Sequence, residues 1–388
     1  MGPKIGPLGP PFFLILNKIW KGSLYSLRSS TDFELKEWLS SNPFNTFILK
    51  YYECYLLLMR AAVVPKINGT WEVKEVPTPK PKTNQVLIKI GASGLCYTDV
   101  HITKGELPMP IEFPRTLGHE PVGEIVETGD GVTTRRVGDR VGVPWIQASC
   151  GRCEWCQRGK QLFCQQQIGT GIGTQGSHAE YMLAYADSTM LLPKEITYEQ
   201  AAPVFCAGYT VYSGLRFAEP KPHEKIAVVG IGGLGHLGVQ YSKACGFETI
   251  AVTHSKDKEE LSYKLGADKV VANGEELMKA GGADVILATG NSARSMTDAL
   301  KGIRPDGRMM VMGFSNEEPI QVPTDILLNR ARIIGSTQND PEYLFEALDF
   351  VSKGKVKVIT ETYRLDDIGQ AYDRVAAGKV RFRAVIKN

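Results

Sequence analysis

The sequence lacks the long apolar run that a membrane-spanning helix requires. A transmembrane segment needs roughly 18 apolar residues in succession, and the longest apolar runs, Pro11 to Leu16 and Tyr55 to Met59, are far shorter. Lys4 and the PFFLIL run after it match only part of a secretory signal, which also has a cleavage site of small residues. We therefore predict a cytoplasmic protein without a membrane partner.

A strong excess of either charge is also missing. The chain carries 45 Lys and Arg against 42 Asp and Glu, so its formal net charge is only +3 over 388 residues. Proteins that bind nucleic acids or anionic membranes usually present a basic surface. The composition predicts no partner of either kind.

The length of 388 residues predicts more than one domain, because a single hydrophobic core rarely extends so far. Residues 1–58 differ from the remainder in their clustered aromatic side chains, and they contain no motif. We predict that they form an N-terminal extension that is dispensable or comes from an upstream start codon. A packing arm and a targeting segment are the alternatives.

Residues 59–207 are predicted to form a β-rich domain. Short apolar or alternating runs are separated by Gly, Pro and Asp, which is the pattern of strands joined by turns in a compact barrel-like fold. The runs are MRAAVV (59–64), VLIKI (86–90), PVGEIVE (121–127), DRVGV (139–143) and AEYML (179–183).

Residues 208–339 show a different rhythm, in which buried-type strands alternate with helical patterns. This rhythm is the signature of parallel βαβ units and predicts an α/β protein with a doubly wound Rossmann sheet. The strand runs are KIAVVG (225–230), TIAVT (249–253), KVVA (269–272), DVILAT (284–289) and RMMVMG (308–313). Helical patterns and a last strand, RAVIKN, predict that residues 340–388 return to the first domain.

The turn after the KIAVV strand carries a G-x-G-x-x-G motif. The turn contains Gly230, Gly232, Gly233, Leu234 and Gly235, and the helical pattern HLGVQYSKACG follows. This spacing lets the backbone turn closely and approach a pyrophosphate, whose charge is stabilised at the helix N-terminus. A glycine string alone also suits a purely structural turn, but the strand-turn-helix context predicts dinucleotide binding.

The end of the second strand bears on which dinucleotide binds. An NAD site usually presents Asp or Glu to the ribose hydroxyls there, whereas this sequence has Thr253, His254, Ser255 and Lys256. Neutral hydroxyls donate hydrogen bonds to a 2′-phosphate and a lysine adds charge, although Asp257 partly offsets it. The same residues also suit an ordinary loop. We predict NADP in preference to NAD.

Four of the eight cysteines lie within residues 150–164. Cys150, Cys153, Cys156 and Cys164 give the spacing C-x2-C-x2-C-x7-C. In an intracellular protein this spacing indicates a metal, and four thiolates complete a closed tetrahedral shell, which predicts a structural zinc. Disulfides, free surface thiols and a zinc-ribbon nucleic-acid module are the alternatives, but no basic-aromatic surface accompanies the last.

A further set of motifs identifies a resemblance. The stretch Gly118 to Val132 has the pattern GHE-x2-G-x5-G-x2-V, in which His119 and Glu120 alone suit a metal site or an ordinary satisfied pair. Together with GLCYTDVH (94–101), the cysteine quartet, APVFCAGYT and GIGGLG (230–235), it makes residues 59–388 resemble the zinc-dependent alcohol dehydrogenases of the medium-chain dehydrogenase family. Residues 1–58 lie outside the resemblance. It implies a GroES-like catalytic domain beside the Rossmann domain.

The resemblance also implies a catalytic metal site. Cys96, His119 and Cys206 would bind a catalytic zinc, with Glu120 beside them as an alternative ligand, so each subunit would hold two zinc ions. A set of two cysteines and one histidine leaves a coordination position for substrate, unlike the closed cysteine quartet. Asp99 would orient His119.

Other roles follow from the same resemblance. Thr98 would take the alcohol proton and His101 would pass it to solvent; a helix cap and a surface histidine are the local alternatives. Thr210 matches a residue near the nicotinamide, and Arg383 matches one that binds pyrophosphate, with Arg381 close enough in sequence to be confused with it. Tyr97 departs from the family pattern, in which many relatives have a basic pyrophosphate contact.

The implied reaction is reversible hydride transfer between the carbon of an alcohol and C4 of a nicotinamide, with zinc as the Lewis acid. The substrate would be a small-molecule alcohol or its aldehyde. A polyol or amino-alcohol dehydrogenase on the same scaffold is the nearest alternative, and a non-catalytic NADP(H)- or zinc-binding protein is the alternative from another class. Zinc-free quinone-type reductases lack both cysteine sets. Relatives are dimers or tetramers, which implies a homo-oligomer.

Overall fold

The computed structural model describes residues 58–107, 109–313 and 318–388. The predicted extension of residues 1–58 lies outside these ranges, apart from Leu58. None of the helices in the described ranges is long and apolar enough to cross a membrane.

The described residues form strands that we number in chain order. They are β1 (Leu58–Val64), β2 (Glu72–Pro77), β3 (Gln85–Leu95), β4 (Arg115–Thr116), β5 (Glu120–Thr128), β6 (Arg140–Gly142), β7 (Ile146–Ala148), β8 (Ile168–Gly169), β9 (Tyr181–Tyr185), β10 (Met190–Leu191), β11 (Lys225–Val229), β12 (Glu248–Val252), β13 (Lys269–Val271), β14 (Ala283–Ala288), β15 (Ile303–Val311), β16 (Arg332–Gly335), β17 (Thr360–Arg364) and β18 (Arg383–Lys387).

Helices connect these strands. The α-helices are Tyr97–Lys104, Glu154–Gln157, Tyr198–Ala201, Ala207–Phe217, Gly235–Ala244, Lys256–Lys264, Gly274–Lys279, Ala293–Ala299, Asp325–Leu328, Pro341–Ser352 and Ile368–Ala376. Short 3-10 turns lie at Gln161–Phe163, Ala186–Ser188, Ala202–Phe205, Leu300–Gly302 and Leu365–Asp367.

A parallel sheet is formed by β11 to β16, in the order β13-β12-β11-β14-β15-β16. Counted from β11, this is the 3-2-1-4-5-6 order of a doubly wound dinucleotide-binding sheet. Its central strands form because β-branched and apolar residues such as those of β11 (KIAVV) and β14 (ADVILA) are buried on both faces. The predicted Rossmann sheet is confirmed.

A second sheet contains most strands of the first part of the chain, in the order β10-β6-β5-β3-β18-β17, with β9 also paired to β3. Its centre is β3, which pairs antiparallel with β5 and with β18, the last strand of the chain. The C-terminus therefore returns to this sheet. Two small sheets, β2-β1-β4 and β7-β8, accompany it.

The predicted return segment, residues 340–388, divides between the two sheets. The helix Pro341–Ser352 begins at an Asp340 cap that accepts the N–H of Glu342, and its buried face packs with the helices Ala207–Phe217 and Gly235–Ala244. Only β17 and β18 belong to the second sheet, and the helix between them packs on it. Sequence periodicity gives helices and strands but not the surface on which a helix packs, so the domain boundaries at 207/208 and 339/340 stay predictions.

Candidate active site

The end of strand β3 brings together residues that are distant in sequence. Gly94 pairs with Glu120 of β5, and Leu95 pairs with Ala384 of β18. Cys96 follows directly and thus lies beside Glu120. A Cβ atom on Gly94 would lie 1.8 Å from Glu120 Oε2, so only glycine leaves room for the carboxylate. Strand pairing therefore sets the base of the site.

Four potential metal ligands converge there. Single ligand atoms of Cys96, His119, Glu120 and Cys206 all lie within 4.8 Å of one another. The two sulfur atoms are 3.9 Å apart, and His119 Nε2 is 3.3 Å from the Cys206 sulfur. Glu120 Oε2 is buried and has no hydrogen-bond partner among the described residues. Two thiols, an imidazole and a carboxylate form a donor set that zinc accepts, so these residues fit the ion.

Asp99 contacts the backbone of one of these residues and the ring of another. Cys96 is the N-cap of the helix Tyr97–Lys104, and its N–H donates to Asp99 Oδ2 at 2.8 Å. Asp99 Oδ1 lies 3.6 Å from His119 Nδ1. Burial alone would raise the pKa of Asp99, but the nearby imidazoles of His119 and His178 hold that pKa below its ordinary value. Asp99 is therefore a carboxylate placed to orient Cys96 and His119.

A chain of buried polar groups that the motifs did not indicate continues from Asp99. His178 Nε2 lies 3.9 Å from Asp99 Oδ2, and His178 Nδ1 lies 2.9 Å from Ser93 Oγ. Ser93 in turn contacts Ser177, whose hydroxyl donates to the Gly118 carbonyl at 3.1 Å. Since Gly118 directly precedes the histidine of the cluster, this chain fixes the backbone there. The only sequence signal was a polar pair, Ser177 and His178, at the edge of the predicted AEYML strand.

Arg383 links the cluster to the glycine turn. Its Nη2 forms a buried ion pair with Glu120 Oε1. Burial raises the pKa of Glu120 to about 7, against the opposing effect of the Arg383 charge. On the other side, a Cβ atom on Gly233 would lie 3.0 Å from Arg383 Nη1. The guanidinium thus extends from the metal-ligand cluster to the G-x-G-x-x-G turn.

Thr98 and His101 lie on the helix that begins after Cys96. Thr98 Oγ1 is half-buried and 3.6 Å from the Cys96 sulfur. One turn later, His101 Nδ1 is 2.5 Å from Glu106 Oε2, and the histidine side chain is 13% exposed. Residues three apart share a helix face. The two side chains therefore lead from the cluster to a carboxylate nearer the surface.

The cysteine quartet forms a second group whose ligand atoms lie within 4.8 Å of one another. The Cys150 sulfur is 3.9 Å from that of Cys156 and accepts the N–H of Cys153 at 3.3 Å, while the Cys164 sulfur accepts the N–H of Cys150 at 3.5 Å. The pKa of Cys150 is lowered to about 6, mainly by the backbone N–H groups of Arg152 and Cys153. All four are free thiols. They fit a closed tetrahedral zinc shell.

The glycine turn lies at the carboxyl edge of the parallel sheet, where dinucleotides bind. Gly230 has a φ of +87°, and a Cβ atom on Gly235 would lie 2.0 Å from the Gly230 carbonyl oxygen, so both positions favour glycine. The loop of Thr253 to Lys256 follows β12, whose Val252 pairs with Val229 immediately before the turn. The predicted cofactor residues therefore lie at the ends of adjacent strands.

Comparison with known proteins decides the family. Residues 82–194 match the alcohol dehydrogenase GroES-like domain, and residues 233–353 match the zinc-binding dehydrogenase family. An alcohol dehydrogenase of Geobacillus stearothermophilus is 41% identical over 336 residues, which cover 85% of this chain and 99% of that relative. The chain belongs to the zinc-type medium-chain alcohol dehydrogenases.

Solved structures agree with this assignment. The alcohol dehydrogenase from the hyperthermophilic archaeon Aeropyrum pernix has a TM-score of 0.78 at 29% identity and covers 85% of this chain and 100% of its own. An acetophenone reductase from Geotrichum candidum, solved in complex with NAD, has a TM-score of 0.76 at 28% identity and covers 86% and 98%. The predicted combination of GroES-like and Rossmann domains is confirmed.

The predicted function class is confirmed by the same comparisons. The protein is a zinc alcohol dehydrogenase that uses a nicotinamide cofactor and acts on small-molecule alcohols or aldehydes. The alternative of a non-catalytic binding protein is therefore wrong.

Apart from the cysteine quartet, the predicted site residues of this alcohol dehydrogenase form two groups joined by Arg383. The first group surrounds the cluster and includes Thr210, whose N–H donates to the Cys206 carbonyl at 2.8 Å one turn into the helix Ala207–Phe217. The second group is the glycine turn with residues 253–256. His101 lies outside both, at the end of the path from Thr98.

Two further residues of this alcohol dehydrogenase gave no motif signal. The Trp145 ring meets the His119 ring edge-on at 5.3 Å between centroids. Gln338 Oε1 accepts the backbone N–H of Trp145 at 3.3 Å, and its Nε2 donates to the Phe205 carbonyl at 2.9 Å. Gln338 follows β16 of the parallel sheet, so its amide connects that sheet to the neighbours of both His119 and Cys206.

Proposed function

We propose that alcohol oxidation and aldehyde reduction take place at the cluster of Cys96, His119, Glu120 and Cys206. Cys96, His119 and Cys206 would bind a catalytic zinc, with Glu120 as an alternative ligand. The cysteine quartet would hold a second, structural zinc. The observation that carries this proposal is the convergence of two thiols, an imidazole and a carboxylate within 4.8 Å, mostly buried. When bound, zinc polarises the substrate oxygen as a Lewis acid, and the nicotinamide accepts or gives the hydride.

The surrounding residues prepare the ligands. The pKa of Cys96 lies well below its ordinary value. The main cause is the contact with the Cys206 thiol, followed by His119 and the charge of Arg383. A thiolate is the form that binds zinc. Asp99 orients His119 so that Nε2 faces the sulfur atoms, and the ion pair with Arg383 fixes Glu120 beside them.

The proton of the alcohol leaves through Thr98 and His101 in this proposal, with Glu106 next to His101 at the surface end. Thr98→Val keeps the side-chain shape and removes the hydroxyl. We expect kcat to fall by about 10² to 10⁴, the usual contribution of a positioned proton-transfer group, with the zinc content unchanged. Thr98→Ser keeps the hydroxyl and is the control in steady-state kinetics. Equal kcat values for the two variants would contradict the relay.

NADP(H) is proposed in preference to NAD(H). No carboxylate lies among residues 253–256, at the place where an NAD site uses one for the ribose hydroxyls. The adjacent Asp257 accepts a hydrogen bond from the Ser255 hydroxyl at 2.5 Å, and this bond, with the charges of Lys258 and Arg381, lowers its pKa. The hydroxyl of Thr253 and the charge of Lys256 favour a 2′-phosphate, although Asp257 offsets part of that charge.

Kinetics with both cofactors test this preference. We expect the wild-type enzyme to have the higher kcat/KM with NADP. Ser255→Asp adds a carboxylate that repels the 2′-phosphate, so KM for NADP should rise by about tenfold or more, since each tenfold step corresponds to only about 1.4 kcal/mol. Ser255→Asn has nearly the same shape without the charge and should change KM much less. A wild-type enzyme that prefers NAD would show that the assignment of the loop is wrong.

Activity assays with a panel of alcohols test which alcohols or aldehydes are the substrate. We propose simple alcohols and their aldehydes, assayed by the absorbance of the reduced nicotinamide with primary, benzylic and secondary alcohols. Polyols and amino alcohols belong in the same panel. Preferential turnover of either would favour the polyol or amino-alcohol alternative.

A homo-oligomer is proposed from the exposed edge of the parallel sheet. β16 lies at one edge of this sheet, as β13 does at the other, and among the described strands it pairs only with β15. Leu327 and Leu328 immediately before it are 79% and 84% exposed. An open strand edge with exposed leucines suits pairing with a second copy of the chain. The mass in solution, measured by light scattering, tests this; a monomer at assay concentration would contradict it.

A cytoplasmic location is proposed from the cysteines. Every cysteine among the described residues is free, including the quartet. Thiols that bind metal persist in a reducing compartment. Fractionation of source cells tests the location, and recovery of the protein outside the cytoplasm would contradict it.

A further inference from the structure

Phe382, the residue before Arg383, has a left-handed backbone with a φ of +71°. Bulky L-residues rarely adopt this conformation, and it persists only where surrounding contacts hold it. The N–H of Phe382 donates to the Val380 carbonyl at 2.9 Å, and that of Arg383 donates to the Arg381 carbonyl at 3.2 Å. The chain therefore enters β18 through a tight turn, which these two hydrogen bonds and a contact of the Phe382 side chain stabilise.

That contact is a ring stack with His236. The two ring centroids are 4.4 Å apart, and the planes differ by 7°. His236 lies on the first turn of the helix Gly235–Ala244, directly after the glycine turn. The stack therefore joins the helix of the dinucleotide motif to the start of the last strand.

The His236 ring is fixed before Phe382 meets it. Nδ1 donates to the Gly232 carbonyl at 3.2 Å, and Nε2 accepts the N–H of Ile359 at 3.5 Å. Burial lowers the pKa of His236 to about 3, so the ring is neutral when the cofactor binds and does not repel Arg383. Both ring nitrogens are engaged, which leaves the flat face as the surface against which Phe382 packs.

The position of Arg383 depends on this arrangement. Its guanidinium lies against Gly233, where the Phe382 carbonyl oxygen also lies only 3.3 Å from an added Cβ. One part of the guanidinium is bonded to Glu120, while Arg383 Nε is buried and has no hydrogen-bond partner among the described residues. An arginine with an uncommitted donor at a glycine turn is suited to an anionic oxygen.

We propose that Phe382 and His236 act together as positioning residues for Arg383, holding its guanidinium at the glycine turn so that it meets the diphosphate of the cofactor. The inference rests on the proposed binding of NAD(P) at this turn. Without the stack, the turn at Phe382 is no longer held against the helix Gly235–Ala244, and Arg383 keeps only its bond to Glu120. The diphosphate then loses a charge-assisted contact, whereas the nicotinamide end does not.

Phe382→Gly tests the proposal, because glycine accepts the left-handed backbone and removes only the ring. We expect NADPH and ADP-ribose, titrated by fluorescence and calorimetry, to bind about tenfold to a hundredfold more weakly, as for loss of one charged hydrogen bond. Nicotinamide riboside, which carries no phosphate, should bind within about twofold of wild type. The melting temperature is measured alongside, because the relief of backbone strain and the loss of the ring contact oppose each other. Phe382→Tyr keeps the ring and should bind all three like wild type.

Asp306→Gly is the matched control, and Phe382→Leu is a second variant that removes the stacked ring. Asp306→Gly also relieves a left-handed residue, with a φ of +63° and a side chain 76% exposed, and should leave binding unchanged. Phe382→Leu keeps an apolar side chain without a flat ring and should weaken ADP-ribose binding if the glycine variant does not fold. Wild-type ADP-ribose affinity in Phe382→Gly or Phe382→Leu would overturn the proposal, as would an equal loss in Phe382→Tyr.

Two outcomes distinguish failure of the cofactor site from failure of the positioning role. If the wild-type protein binds neither NADP nor NAD, the proposed function fails. If Arg383→Gln weakens ADP-ribose binding but Phe382→Gly does not, the binding site stands and only the positioning role is wrong.

Discussion

Replacing Cys96 with serine is expected to lower kcat/KM for alcohol oxidation by about a thousandfold or more. The Cys96 sulfur is buried and lies 3.9 Å from that of Cys206. A serine hydroxyl is a much weaker zinc ligand than a thiolate. Lewis-acid polarisation supplies several kcal/mol in the transition state, and a loss of about 4 kcal/mol corresponds to roughly three orders of magnitude in rate.

The measurement combines steady-state kinetics with elemental analysis. We expect Cys96→Ser to contain about one zinc ion fewer per subunit and to melt near the wild-type temperature, since the cysteine quartet is untouched. Cys245→Ser is the matched control, because Cys245 is a free, half-buried cysteine that belongs to neither ligand group. A Cys96→Ser enzyme that has lost this zinc and still turns over would refute the polarising role.

Five of the six strands of the parallel sheet could be predicted because they are short apolar runs bounded by turn residues. The sixth, β16, has only two apolar residues in its sequence RIIG and is not predicted. The run KIAVVG predicts a strand, and β11 ends one residue earlier because Gly230 has a positive φ. The run RMMVMG predicts a strand from Arg308, whereas β15 begins at Ile303. The intervening residues contain Pro and Asp-Gly, which are turn signals, so the pattern hides their pairing with β14 across an irregular register.

The metal-ligand cluster could not be assembled from spacing. Cys96 and Cys206 are 110 residues apart, and nothing in that interval indicates that their sulfur atoms meet. Their proximity depends on the register of β3 with β5 and on the irregular backbone at Cys206, where a 3-10 turn gives way to a helix. Resemblance to a family supplied this grouping because motif order carries the three-dimensional information that spacing lacks.

The ion pair of Arg383 with Glu120 could be predicted neither from residue spacing nor from the family resemblance. The resemblance assigns Arg383 to pyrophosphate, and its position beside Gly233 agrees with that role. Its ion pair with Glu120 joins residues 263 positions apart and arises because β18 and β5 flank the same strand, β3. Pairing across a shared neighbour leaves no trace in either motif, so the connection between the cofactor turn and the metal cluster emerges only from the sheet order.

Replacing Cys153 with serine is expected to lower the thermal stability of the protein, whereas Cys96→Ser is expected to lower its catalytic activity. Regular structure between residues 150 and 164 amounts to a four-residue helix and one 3-10 turn, which are too short to be stable alone. Structural zinc contributes about 10–16 kcal/mol to folding in zinc-finger peptides, but a loop can open locally, so only part of this reaches the whole domain. We expect a melting temperature lower by roughly 5–10 °C, since about 1 kcal/mol shifts a domain of 150–250 residues by 2–4 °C.

Limited trypsin digestion locates the effect of Cys153→Ser. Arg152, Arg158 and Lys160 are exposed in the loop, so the variant should be cut there before anywhere else, while wild type and Cys96→Ser resist at the same sites. Folded Cys153→Ser should keep most of its kcat, because Cys96, His119 and Cys206 lie on other segments. Zinc content, melting temperature and protease resistance all equal to wild type would show that the quartet is a set of free thiols. Loss of kcat at an unchanged melting temperature would instead make this loop part of the catalytic centre, because a closed four-sulfur shell offers no position at which a substrate oxygen binds.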